Sequence, residues 1–143
     1  MKPAQVIISG LAATTVMTVF SYIASNLKKR NYKEPELLAG LLKDGFDNKY
    51  LATPSGWCTH YSMGITWAAV FEMLFEGAGM KRDFKDGLVL GAFSGLTGIV
   101  IWRLAFKLHS NPPRTDYKGF YEQLLLAHIV YSLVVTYTSR NMK

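Results

Sequence analysis

His60, Gly64, Ala68 and Glu72 recur every four residues, and His128, Ser132 and Thr136 do the same later in the chain. On a helix each set forms a single stripe. Two imidazoles on neighbouring helices could hold a bis-histidine haem, and an acid on the same stripe could relay protons. Both stripes fall in otherwise uncharged sequence, with Glu72 at the edge of its run. There an ionisable group costs several kcal/mol unless it is paired or hydrated, and it is a functional candidate for that reason.

Depth argues against the haem. With helices starting near 57 and 120, His60 lies roughly 5 Å inside the first and His128 roughly 12 Å inside the second, at about 1.5 Å per residue. Axial ligands of one iron need nearly equal depth. Cys58 and His60 point apart on a helix and make a poor metal pair. No metal site and no cofactor is expected, and a neutral imidazole hydrogen-bonded between helices is the simplest role for both histidines. For Glu72, Lys81 and Arg82 follow in the next connection. A carboxylate that reaches the headgroups or pairs with one of them is favoured over a proton relay. There is no Gly-rich phosphate loop, zinc-protease helix motif or nucleophile elbow, and no spacing suggests a triad. No catalytic residue is assigned, although Asp116, Glu122, His109 and Arg114 cluster around one connection and would suit a small membrane enzyme.

The elements that must position these groups follow from the charges. Sixteen basic and ten acidic residues are clustered so that four uncharged runs remain, 3–27, 50–71, 87–102 and 123–139. A bilayer core takes about 20 apolar residues of helix. A soluble bundle could hide one all-round apolar helix, but four would have no amphipathic partners to cover them. The expected fold is all-α and polytopic, a four transmembrane helix bundle with spans over 4–26, 57–76, 84–108 and 120–139 in a single domain, 1–143. In the long first connection Leu37, Leu38, Leu41 and Leu42 follow Glu34 and Pro35 at helical spacing. They predict a short amphipathic helix over 35–46, lying on the membrane surface. A single cysteine excludes an internal disulfide. The formal net charge of +6 sits in patches beside the apolar runs. That suits anionic lipid and not nucleic acid.

Gly87, Gly91 and Gly95 repeat every four residues in the third span, the signature of close helix packing in lipid. Packing against the small face of the first span, Gly10, Thr14 and Thr18, is the favoured arrangement, and a homo-oligomer seam through the third span is the alternative. Arg103 near the end of that span and Glu122 at the start of the next are expected to pair, with His60 close by. A faint internal repeat is also visible: in each half a small-residue helix precedes one bearing a histidine, Gly10 and His60 first, Gly91 and His128 second.

The segments GLAATTVMT, PELLAGLL, GWCTHYSMGITWA, KLHSNPP and LLLAHIVYSLV together resemble small bacterial inner-membrane proteins of the YagU-like kind. That resemblance implies a four-helix protein of the bacterial inner (cytoplasmic) membrane and no established chemistry. Ser132 stands where the pattern has glycine, and looser packing is expected there. The combined reading is a non-enzymatic, helix-packing or oligomerising membrane module whose partner is the lipid bilayer. A proton or small-solute conduit using Glu72 and the histidine faces is the alternative.

An even number of spans puts both termini on one side. The terminal side then carries six Lys and Arg and the long-loop side nine, which leans toward termini outside. Reporter fusions at Gly79 and after Lys143 should therefore agree with each other and disagree with one at Lys43. Agreement between Gly79 and Lys43 would mean that the second uncharged run does not cross.

Overall fold

A computed structural model describes residues 2–142, with the backbone alone for Lys49; Lys143 and the Lys49 side chain, both counted among the flanking charges above, lie outside the described residues. The described residues form five α-helices, α1 Pro3–Lys28, α2 Glu34–Leu42, α3 Ala52–Gly77, α4 Phe84–Leu108 and α5 Tyr117–Asn141, and contain no strand. Three of them, α1, α4 and α5, are long and apolar enough to cross a membrane. The chain is thus a membrane-spanning protein. α3 is as long as α1, but its window is less apolar because Thr, Ser, Gly, His and Glu interrupt it.

Large apolar side chains cover much of the outside, and small polar ones are buried beside a core that includes Phe71, Phe120 and Leu124. Ile7, Ile8, Val19, Ile23, Val89, Phe93, Leu96 and Val100 are exposed, while Gln5, Ser9, Thr14, Thr18, Ser21, Ser94, Ser132 and Thr136 are buried. Apolar side chains turned outward and small polar ones turned inward are what hydrocarbon solvent selects.

α1 lies between α3 and α5, and α4 packs on the far side of α5. Both small-residue faces set these pairings. A Cβ on Gly10 would meet the Ile65 backbone at 2.9 Å, and one on Gly64 would collide with the Thr14 hydroxyl, so α1 and α3 touch nearly backbone to backbone. On α4, a Cβ at Gly91 would come within 2.7 Å of Ile129 Cα, and Gly87 and Gly95 face Leu133 and Leu125. The glycine face of α4 is therefore covered by α5 and not by α1. A stripe of glycines shows that a neighbour comes close without showing which one. Ser132 does not loosen this contact: its hydroxyl donates to Gly87 O at 2.7 Å.

The helix ends also differ from expectation. α3 starts at Ala52, five residues before 57, because Pro54 falls in the first turn, where the missing N–H costs nothing. α2 ends at Leu42 and runs into a short 3₁₀ turn, Lys43–Gly45. It does not simply lie on a surface. Glu34, Pro35 and Leu37 are buried, and Gly56 at the start of α3 admits the α2 backbone, its added Cβ falling 2.7 Å from Ala39 N.

These contacts leave no room for added volume. Gly64→Ala and Gly91→Ala should each lower the melting temperature in detergent, by about 1–3 kcal/mol of stability as for other overpacked cores. Thr14→Ala should recover part of the loss in Gly64→Ala, whereas Val89→Leu on the exposed face should be nearly neutral. Thermal melts of the five proteins test this; equal melting of all five would mean that the helices do not meet through these glycines.

Candidate functional site

α3 and α4 are consecutive, yet each packs on a different helix of the α1–α5 pair. A cleft of about 280 Å³ opens between them. Thr14 and Met17 of α1 and Leu124, His128 and Tyr131 of α5 form its floor. His60, Trp67, Gly98 and Trp102 stand on its walls, and Leu38 and Leu41 of α2 close the loop end. Toward the other end Trp67 meets Phe93 edge-on, with 6.4 Å between ring centroids. The exposed residues Met63 and Ile101 line the cleft too. It opens sideways, between two helices.

His60 and His128 are 7% and 8% exposed. Thr18 Oγ1 donates to Thr14 O at 2.6 Å and so must accept from His60 Nε2 at 2.9 Å. That bond puts the ring proton on Nε2 and leaves a lone pair on Nδ1. His128 Nδ1 lies 2.9 Å from Leu124 O, which can only accept. Its proton is therefore on Nδ1, and Nε2 is left as an acceptor. Neither remaining nitrogen finds a donor among the described residues. The early start of α3 also changes the depth argument: counted from the observed helix starts, the two rings differ by about 4.5 Å at ~1.5 Å per residue. No cluster of three or more His, Cys, Asp or Glu able to hold a metal occurs among the described residues.

At the loop end of the cleft Glu34 is 1% exposed. Its Oε1 accepts from Ser21 Oγ at 2.7 Å, and Gln123 Nε2 donates to the same hydroxyl at 2.7 Å. Glu34 Oε2 and Gln123 Oε1 are buried without a partner. Burial pushes the Glu34 carboxyl up from its ordinary 4.5 to about 7, although its own backbone N–H, Ser21 and Gln123 pull the other way.

Glu72 lies at the opposite end, fully buried and outside the cleft lining. Arg82 Nη2 donates to its Oε2 at 2.7 Å, and Gln5 Nε2 donates to the same oxygen at 3.2 Å and to Ser139 O at 3.1 Å. One knot thus ties α1, α3, α5 and the α3–α4 connection. No family model matches the chain, and no curated protein or solved structure matches it either.

Arg103 and Glu122 are not brought together: both are exposed and no ion pair joins them. The neighbours Trp102 and Gln123 face inward instead, and at 100° per residue that turns the charged pair outward. The groups of the third connection are engaged in holding α2 and its flanks. His109 Nε2 donates to Leu41 O at 2.9 Å, Thr115 Oγ1 to Asn31 O at 2.6 Å, and Tyr32 OH to Asp116 at 3.0 Å. Gln5, Ser21, Glu34 and Gln123 were not singled out from sequence as members of polar knots. The available signal was an amide inside each of two uncharged runs, where a polar side chain needs a partner.

Because the folded Glu34 holds its proton to higher pH than the unfolded chain, the folded state binds more protons between about pH 4.5 and 7. Stability falls as pH rises through that window, by roughly 3 kcal/mol at 1.36 kcal/mol per pKa unit. The protein should melt lower at pH 8 than at pH 5. Glu34→Gln should remove most of that difference and be the more stable of the two at pH 8; superimposable pH profiles would show that Glu34 does not hold a proton.

Proposed function

We propose that the protein is a four-span bundle of the bacterial inner membrane that binds a small apolar molecule drawn sideways from the bilayer, and that it is not an enzyme. The observation that carries this is the cleft between α3 and α4, floored by α1 and α5 and open between Met63 and Ile101. Its volume is nearly twice the ~150 Å³ of a cavity that takes one benzene ring. α3 is the fourth span in this reading: it has the length of α1 and runs beside it in the opposite sense, with Thr18 meeting His60 and Gln5 meeting Glu72.

The helix packing expected as the chain's main property supplies the frame of this cleft. A homo-oligomer through α4 would have to use the Phe93, Leu96 and Val100 face, since α5 covers the glycines. The conduit reading loses support because Glu72 is held by Arg82 and Gln5 away from the cleft. An enzyme at the third connection loses support because His109 and Asp116 are engaged in structural bonds.

Purified in mild detergent, the wild type should retain a bilayer-derived apolar molecule at one-to-one stoichiometry in native mass spectra. Ala105→Phe, which grows into the cleft, should lose it at an unchanged melting temperature, whereas Val100→Phe on the exposed face should keep it. Equal retention by all three would show that the cleft is not the binding site.

A further inference from the structure

The cleft lining is apolar but for a few side chains, and two of these, His60 and His128, each keep one hydrogen-bond acceptor. His60 Nε2 is committed to Thr18 and His128 Nδ1 to Leu124 O. His60 Nδ1 and His128 Nε2 remain on side chains more than nine-tenths buried that line the cleft. Both rings are neutral, because an imidazolium in this setting would be an uncompensated charge in hydrocarbon. A neutral imidazole nitrogen without its proton can only accept. Water could satisfy such atoms, but the open side of the cleft faces the exposed apolar side chains Met63 and Ile101. A polar atom of a bound molecule is the partner that an apolar entrance admits.

The walls narrow the chemistry further. Trp67 and Trp102 line the cleft, and each indole carries one N–H donor. A hydroxyl can donate to an imidazole and at the same time accept from an indole. A carbonyl or ether oxygen can only accept, and it would leave both imidazole nitrogens buried without a donor, at a cost comparable to a lost hydrogen bond for each. Gly98 lies against the His128 ring, where an added Cβ would sit 3.1 Å from Nε2. Its missing side chain keeps the approach to that nitrogen clear.

We infer that the ligand of this cleft is a membrane-soluble molecule with a hydroxyl head on an apolar body, its hydroxyl donating to His60 Nδ1 or His128 Nε2. This rests on the cleft reading above and adds the polarity of the head. Two sources share the chemistry, a hydroquinone, with a hydroxyl at each end of its ring, and a long-chain alcohol. A hydroquinone binds in its reduced form and not as the quinone, because oxidation removes both donors.

The test titrates delipidated protein in detergent, under anaerobic conditions, with a 2-alkylhydroquinone, its quinone and its dimethyl ether, and in parallel with dodecanol and dodecyl methyl ether. Calorimetry reads the affinities and native mass spectrometry the stoichiometry. The hydroxyl compound of at least one series should bind roughly tenfold or more tighter than its ether, since a tenfold ratio corresponds to about one lost hydrogen bond. The series that shows the ratio identifies the source. His60→Phe and His128→Phe, which keep a ring but remove the acceptor, should bring the ratio toward one even where absolute affinity changes. Equal binding of hydroxyl and ether forms by the wild type would overturn this inference while leaving the cleft as an apolar site. Binding of neither would overturn both readings, and a haem or metal retained on the two histidines would overturn the hydroxyl ligand.

Discussion

Helices surrounded by hydrocarbon gain nothing by hiding leucine from lipid, so they hold together only where surfaces touch closely or exchange hydrogen bonds that lipid cannot supply. Both devices are used here in a fixed order along the bundle. In the middle, Gly64 against Thr14 and Gly91 against Ile129 bring the helix axes together. At the terminal end Gln5, Glu72 and Arg82 make one knot, and at the loop end Ser21, Glu34 and Gln123 make another. α1 is the shared element, with its small polar face turned toward both α3 and α5. Once α3 is bound to α1 and α4 to α5, the consecutive helices α3 and α4 have no close face left for each other. The cleft follows from that pairing.

The two buried carboxylates meet the same cost in different ways. Glu72 has a guanidinium at 2.7 Å, which compensates the charge and fixes the connection after α3. Removing either partner would leave the other charge buried alone, the expensive case. Glu34 has the Ser21 hydroxyl, the Gln123 amide and its own backbone N–H for partners, and none of them carries charge. Keeping its proton is the remaining way to reduce the penalty. The end of the bundle closed by α2 is accordingly the end whose stability responds to pH near neutrality.

Much of the helical content was legible, because a run without charge has few alternatives to a helix in a membrane. The α3 boundary was not, because Pro54, Ser55 and Gly56 look like a turn when their neighbours are unknown. In the folded chain proline sits harmlessly in a first turn, and glycine is where α2 comes close. The partner of the α4 glycines could not be read from a stripe that reports only proximity. Arg103 and Glu122 illustrate a different limit: their depth along the bundle was plausible, but pairing also depends on rotation about each helix axis. One residue of phase put Gln123 inside and Glu122 outside. Depth counted along the sequence shifted at the histidines as well, because α3 and α5 start a few residues earlier than 57 and 120.

The faint repeat between the halves bears on how the cleft acquired both room and polarity. In each half a small-residue helix packs antiparallel to one bearing a histidine, α1 with α3 and α4 with α5. The registers differ by about one turn. Gly10 sits over Ile65 and Ala68, five and eight residues beyond His60, whereas Gly91 sits over Ile129 and Ser132, one and four residues beyond His128. In the first pair that register carries the Thr18 hydroxyl onto the imidazole and fixes which nitrogen holds the proton. In the second it carries Gly98 past the ring, and no side chain of α4 reaches the free nitrogen. Equal registers would give both histidines the same neighbour. The shift leaves one ring braced by a hydroxyl and the other facing the space of a missing side chain, and that space is part of the opening between α3 and α4.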